Sequence, residues 1–94
     1  MTTLHINIQV NDLDAFRANF AERAEERRAR GVRSTAVRHA VDDPSQVVID
    51  LDFDSRADAD RYLAFVREEV WKDNPVLVGT PRASILEPLE PALV

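Results

Sequence analysis

Two segments of the chain alternate apolar and polar residues, and each is followed by an apolar stripe at helical spacing. The segments cover residues 4–10 and 47–53, and their apolar members are Leu4, Ile6, Ile8 and Val10, then Val47, Ile49, Leu51 and Phe53. A period of two buries one face of a β-strand and leaves the other face polar. The two segments therefore predict two strands whose apolar faces share one core.

A helix is predicted directly after the first of these strands. Asn11 and Asp12 offer side-chain oxygens that can cap its start, and Gly31 is the residue type usually found just past a helix end. The helix should therefore cover residues 13–30. Its apolar stripe has spacings of three and four and consists of Leu13, Phe16, Phe20 and Ala24.

A second helix is predicted after the strand at residues 47–53. Ser55 and Asp58 fit the capping-box pattern, and Pro75 disfavours helical geometry at Asn74, so the helix should end there. Its apolar stripe consists of Ala59, Tyr62, Leu63, Val66 and Val70. Both helices thus present one apolar side to the strands.

Shorter segments complete the order of elements. They are a strand over residues 32–41, a turn over 42–45, an apolar connection over 76–81 and a last strand over 82–86. Pro88 and Pro91 exclude a long central strand after that. The order β-α-β-β-α-β predicts one α+β domain over residues 1–94. Its ferredoxin-like arrangement has a four-stranded antiparallel sheet with two helices on one face.

Composition excludes several classes of function. The chain has 94 residues, a net charge of −5 and no cysteine. An acidic chain repels phosphate backbones, which argues against nucleic-acid binding, and the lack of cysteine removes disulfides, thiolate catalysis and thiolate metal sites. No apolar stretch approaches the ~20 residues that span a bilayer, and no signal peptide is evident. We therefore expect no membrane association and a cytoplasmic location.

One face of the predicted sheet is left without helices. It carries polar residues from the two strands that this topology places at the centre, namely His5, Asn7, Gln9, Asp50 and Asp52. Such a face is commonly solvated. It lacks the exposed aromatic residues of RNA-binding sheets. The remaining alternative is a dimer in which two such sheets face each other.

The order of elements and three short runs resemble the dimeric α/β-barrel superfamily, in particular small bacterial proteins similar to antibiotic-biosynthesis monooxygenases. The runs are GVR at residues 31–33, VDDP at 41–44 and VIDLDFDS at 48–55, and the resemblance extends from about Leu4 to Glu87. It implies a homodimer built by sheet-to-sheet packing, with a ligand pocket between sheet and helices in each subunit. Members of the superfamily include cofactor-independent oxygenases, haem-degrading enzymes, polyketide cyclases and proteins without known chemistry.

The resemblance to haem-degrading members fails at their functional residues. Those members use an asparagine on the first strand, which Asn7 could match, and a tryptophan in the second helix, where this chain has Tyr62. They also use a histidine soon after that helix, whereas no histidine follows His39 here. We therefore expect no haem or other cofactor, and the spacing of His5 with the aspartates enforces no metal site.

The candidate site residues follow from the expected pocket. His5, Asn7 and Tyr62 are the catalytic candidates, because their side chains can donate hydrogen bonds to the anion of an oxidisable phenol. Phe16, Trp71 and Leu77 are the candidates for substrate binding, although Trp71 can equally plug the end of the core. Together with these residues, the resemblance implies a cofactor-independent monooxygenase or polyketide cyclase acting on an aromatic or polyketide-like substrate. The alternative is a non-catalytic dimeric protein that binds a ligand or a partner.

Overall fold

The computed structural model describes residues 1–90, and its centre is a four-stranded antiparallel sheet. The strands are β1 (Thr2–Val10), β2 (Val32–Ala40), β3 (Asp43–Phe53) and β4 (Leu77–Leu86), in the spatial order β2-β3-β1-β4. β1 and β3 pair along their length at the centre, with His5 opposite Asp50. This is the ferredoxin-like arrangement, as predicted, with all the helices on one face.

The helical segment after β1 is divided into two. α1 (Leu13–Glu22) starts at Asp12, whose carboxylate accepts a hydrogen bond from the Ala15 amide at 3.0 Å, and α2 (Ala24–Ala29) follows a break at Arg23. The prediction of one helix over residues 13–30 was therefore wrong. At the break, the Arg27 side chain donates a hydrogen bond of 2.6 Å to the Phe20 carbonyl. This carbonyl belongs to the last turn of α1, where backbone acceptors run short of helical donors.

The second predicted helix begins where expected and changes its geometry before its end. α3 (Arg56–Phe65) is capped by Ser55, whose hydroxyl accepts from the Asp58 amide at 3.2 Å. It continues as a π-helical segment (Val66–Val70) that closes with a 2.7 Å bond from the Trp71 amide to the Val66 carbonyl. The helical structure thus ends at Val70, earlier than Asn74-Pro75 predicted.

The last strand is longer than predicted. Residues 77–81, expected to be part of a connection, belong to β4, which also includes the predicted strand at residues 82–86. Its pairing with β1 shifts between Asn7 and Gln9, and Gly79 lies at that irregularity with φ +71°. Such a backbone is easiest for glycine, which explains why the segment did not alternate regularly. Pro91 lies outside the described residues.

The core occupies the space between the sheet and the helices. Its fully buried side chains include Leu4, Val10, Val47, Leu51 and Phe53, which all point to the same face of β1 and β3. Asp50 and Asp52 lie on the other face, as the alternation predicts. Along the β2–β3 hairpin, Ala36 rather than Val37 or Arg38 lies opposite Asp50. Within residues 1–90, no helix is long and apolar enough to cross a membrane.

Candidate functional site

A cavity of about 370 Å³ lies between the sheet and the helices. Apolar side chains from β1, β3 and the helical segments form most of its wall, including Ile6, Ile8, Phe20, Ile49, Leu51, Val66 and Val70. Polar and charged side chains also reach it, namely Asn19, Glu22, Arg23, Arg27, Lys72, Asp73 and Asn74. The cavity therefore combines an apolar wall with a set of polar groups.

Four of the predicted site residues line this cavity. Phe16 comes from α1, Tyr62 from α3, Trp71 from the end of the π-helical segment and Leu77 from the start of β4. Trp71 is half-buried and also packs against the core, so its two predicted positions, in the core and at the pocket, are compatible. The structure thus brings together the residues predicted for substrate binding and one of the catalytic candidates.

Tyr62 is held in a cluster of aromatic rings. Only 6% of the residue is exposed, and its ring lies 5.6 Å from that of Phe53 and 5.9 Å from that of Phe65, centroid to centroid. Burial raises the pKa of its phenol, and the positive charge of Arg27 partly opposes that rise. Tyr62 is therefore a neutral phenol near pH 7, able to donate a hydrogen bond from the cavity wall.

Arg27 is the charged residue that the sequence interpretation missed. It is 8% exposed, and its guanidinium carbon lies 3.6 Å from the centroid of the Phe20 ring. Burial lowers the pKa of this guanidinium, and Tyr62 acts in the opposite direction. The sequence did not single it out, because the helix is broken at Arg23, and Ala24, the stripe residue before it, is exposed.

The other two catalytic candidates lie on the opposite face of the sheet. The Nδ1 atom of His5 is 2.6 Å from a carboxylate oxygen of Asp50, whose other oxygen accepts from Arg38 at 3.3 Å. The side chain of Asn7 accepts a hydrogen bond from Gln46. His5 and Asn7 alternate with the cavity-lining residues Ile6 and Ile8, so they cannot share a site with Tyr62 in one chain. The three catalytic candidates are therefore not brought together within one chain.

The face that carries His5 has a second hydrogen-bonded cluster beside it. Asp52 accepts hydrogen bonds from the Thr3 hydroxyl at 2.6 Å and from the Ser34 hydroxyl at 2.5 Å. These bonds, first from Ser34 and then from Thr3, hold the pKa of the Asp52 carboxyl below its usual value. The polar residues of this face are thus bound to one another across β1, β2 and β3. We call this surface the open face.

Neither surface offers a metal site within the described part of the chain. In residues 1–90 no group of three or more histidine, cysteine, aspartate or glutamate side chains is arranged to hold a metal ion. The polar groups at the cavity are arginine, lysine, amide and phenol donors together with Glu22 and Asp73. Such a set is suited to binding an organic molecule through hydrogen bonds and charge.

Comparisons with known proteins identify the fold. No family model matches the chain, and no curated protein matches it. A solved structure of an antibiotic biosynthesis monooxygenase is 15% identical, with a TM-score of 0.74, over 96% of this chain and 100% of that one. The cofactor-independent oxygenase SnoaB from Streptomyces nogalater is also 15% identical, with a TM-score of 0.75, over 95% and 93% of the two chains.

A third solved structure shares the same arrangement of strands and helices. It is a dimeric ferredoxin-like protein from an uncultured marine organism, 14% identical, with a TM-score of 0.67, over 97% of this chain and 96% of that one. At these identities the likeness is one of fold. The predicted ferredoxin-like fold, shared with antibiotic-biosynthesis-monooxygenase-like proteins over nearly the whole chain, is confirmed.

Proposed function

We propose that this protein binds an aromatic or polyketide-like phenol in the cavity and oxygenates it without a cofactor. The observation that carries the proposal is the cavity itself. Its volume of about 370 Å³ falls in the range of small-molecule sites, which are typically ~300–1,000 Å³ with a few polar groups on an apolar wall. The fold likeness to a cofactor-independent oxygenase supports the oxygenase assignment.

The side chains at the cavity suit the chemistry that such a reaction requires. An electron-rich phenol or anthrone reacts with oxygen after it loses a proton, because its anion can transfer an electron to O₂. The carbon radical and superoxide then combine to a peroxide, which loses hydroxide to give a carbonyl. The released proton and the hydroxide form water, so one methylene and one O₂ give one carbonyl and one water. Hydrogen bonds and positive charge at the developing oxyanion lower the barrier to the first step.

Tyr62 and Arg27 are the groups that we assign to that oxyanion. Both are largely buried and both line the cavity, where the low dielectric strengthens electrostatic interactions. Phe16, Leu77 and Trp71 provide the apolar wall that positions the ring system and excludes water. His5 and Asn7 have no part in this site within one chain, because they lie on the open face.

We further propose that the protein acts as a homodimer joined through the open face. That face is free of helices and carries a hydrogen-bonded polar cluster across β1, β2 and β3. A chain of 94 residues has a small core, and sheet-to-sheet packing would bury further surface. The fold is shared with a dimeric ferredoxin-like protein, which supports this assembly.

A non-catalytic ligand-binding protein is the second candidate, and one observation favours it. No histidine lines the cavity, and the histidine–aspartate pair of the described residues lies on the open face. A general base for the first proton transfer is therefore limited to Glu22, Asp73 or water. A polyketide cyclase would use the same cavity, but it would not consume oxygen.

Oxygen uptake separates these candidates. Purified protein treated with a chelator should consume O₂ with a hydroxylated anthrone, one molecule of O₂ for each anthraquinone formed. Tyr62→Phe should reduce kcat by about a hundredfold or more, since one donor to the oxyanion is lost. Phe65→Leu, which alters a ring beside Tyr62 and leaves the phenol in place, serves as the control. Saturable binding of the anthrone without oxygen uptake above the uncatalysed rate would support the second candidate.

A further inference from the structure

The burial of Arg27 requires an explanation. Arginine is seldom buried in folded proteins, and a buried charge is normally paired with an opposite charge. Arg27 is 8% exposed, whereas the other members of its basic run, Arg28 and Arg30, are exposed. Its side chain crosses the break at Arg23 to the Phe20 carbonyl and lines the cavity.

No carboxylate neutralises this charge in the described part of the chain. The ion pairs within residues 1–90 do not include Arg27, and the neighbouring Glu26 is paired with Arg23 at 2.9 Å. One guanidinium nitrogen donates to the Phe20 carbonyl, and the Phe20 ring covers one face of the group. These partners carry partial charges only, so a full positive charge remains beside the cavity.

The rest of the guanidinium remains available to a ligand. Arginine has five N–H donors, and one nitrogen is used by the Phe20 carbonyl. Within residues 1–90, every fully buried side-chain nitrogen or oxygen has a hydrogen-bond partner. The guanidinium nitrogens of Arg27 that do not bond to protein are therefore accessible from outside the protein interior. Since Arg27 lines the cavity, these donors can reach a bound molecule.

Tyr62 completes the arrangement. The ionised form of its phenol would interact with the charge of Arg27, but burial raises the pKa of Tyr62, so the phenol is neutral near pH 7. A neutral phenol cannot compensate the positive charge, but it can donate a hydrogen bond to the same oxygen as the guanidinium. Both side chains line the cavity and can therefore donate hydrogen bonds to a negatively charged oxygen bound there.

We propose that the ligand of this cavity is an aromatic anion and that Arg27 is its counter-ion. The proposal rests on the assignment of the cavity as the ligand site and narrows the substrate to aromatic molecules with an ionised oxygen acid. Carboxylates, acidic phenols and enolised β-dicarbonyls belong to this class. Phe16, Phe20 and Trp71 contact the aromatic body, and the charged oxygen lies between Arg27 and Tyr62.

Two probes of matched shape and different charge test the proposal. Calorimetric titration of the purified protein with 2-naphthoate and 2-naphthamide should give an affinity about tenfold or more in favour of the anion, since a hydrogen bond to a charged group is stronger than a neutral one. Equal affinities, or a preference for the amide, would overturn the proposal. This comparison needs no variant, so it stands even if a substitution prevents folding.

Variants of two arginines test which side chain causes the preference for 2-naphthoate. Arg27→Met retains a long side chain that can cover Phe20 and should abolish the preference for 2-naphthoate, whereas Arg27→Lys should retain part of it. Arg30→Met is the matched control, because the Arg30 guanidinium covers the Phe65 ring at 3.5 Å and does not line the cavity. A preference that survives Arg27→Met, or disappears in Arg30→Met, would contradict the role of Arg27.

The outcomes also separate this proposal from the oxygenase assignment. A preference for the anion without anthrone oxidation supports Arg27 as the counter-ion and contradicts the oxygenase. Anthrone oxidation with equal affinity for the two probes supports the oxygenase and contradicts Arg27 as the counter-ion. Absence of both oxidation and probe binding contradicts both.

Discussion

Asp52 shows how a single side chain connects three strands. It lies on β3, and its two carboxylate oxygens accept from Thr3 on β1 and Ser34 on β2. These donors stabilise the ionised form, which is why the pKa of Asp52 is lowered from its ordinary value of 3.8. Because the pKa is lower in the folded protein, this stabilisation exists above pH 3.8 and is lost as the pH falls through the folded-state pKa.

Asp52→Asn should therefore lower the free energy of unfolding at neutral pH and have less effect in acid. We expect a loss of about 1 kcal/mol at pH 7, the usual net contribution of a hydrogen bond within one chain. The difference should shrink from about pH 4 downward. Urea unfolding across this pH range measures it, and Asp42→Asn in the exposed hairpin turn controls for the loss of one carboxylate. A difference that is independent of pH would show that ionisation of Asp52 is not involved.

Gly79 explains, at the level of elements, why β4 was predicted too short. Its φ of +71° lies in the left-handed region, and the pairing of β4 with β1 is irregular at this point. A β-carbon at this position would meet no atom within 4 Å. Any cost of substitution must therefore come from the backbone conformation and not from a clash.

Gly79→Ala should destabilise the protein by about 1–2 kcal/mol, the cost of a left-handed conformation for a residue with a β-carbon. Gly79→Asn should cost less, because asparagine tolerates that conformation better. Thermal unfolding of both variants, with Ser84→Ala in the regular part of β4 as the control, tests this. Equal losses for alanine and asparagine would indicate that the side-chain environment, and not φ, controls stability here.

The sequence predicted those elements whose signals are local. The alternation from Leu4 to Val10 predicted β1 and its buried face, and Ser55 correctly predicted the start of α3. The break at Arg23 was not predictable in this way, because it is accompanied by a contact between the Arg27 side chain and the Phe20 carbonyl. Local periodicity carries no information about such contacts.

Local patterns also explain why only part of the candidate site was predicted. Phe16, Tyr62, Trp71 and Leu77 are brought together because the helical stripes and the start of β4 all face the core. His5 was grouped with them through its chemistry, although its position in the alternation already placed it on the open face. Arg27 was missed because its burial accompanies the contact with the Phe20 carbonyl, which no local pattern predicts.

The open face determines the assembly that we propose for the whole molecule. Its centre includes Val48, a half-buried residue of β3 that lies opposite Asn7 on β1 and opposite Arg38 on β2. In a dimer joined through this face, the same position on the partner would be close by. A lysine there would place a second positive charge directly opposite Arg38, in an interface that would bury both charges.

Light scattering should accordingly report about twice the chain mass of 10.6 kDa at micromolar concentration. Val48→Lys should shift the protein to the monomer, and its circular dichroism should remain that of an α+β fold. Ala64→Lys, on the exposed side of α3, is the matched control and should leave the mass unchanged. A monomeric parent protein would contradict the assembly, and a dimer that survives Val48→Lys would place the interface elsewhere.

The central claim is that the cavity between sheet and helices binds an aromatic ligand, and Trp71 reports on it directly. Trp71 is the only tryptophan of the chain and lines the cavity. Titration with a hydroxylated anthrone should change its fluorescence in a saturable way. Val70→Phe should abolish that response, since the larger ring fills the space while the fold is retained. No saturable change in the parent, or an unchanged titration in Val70→Phe, would contradict the claim.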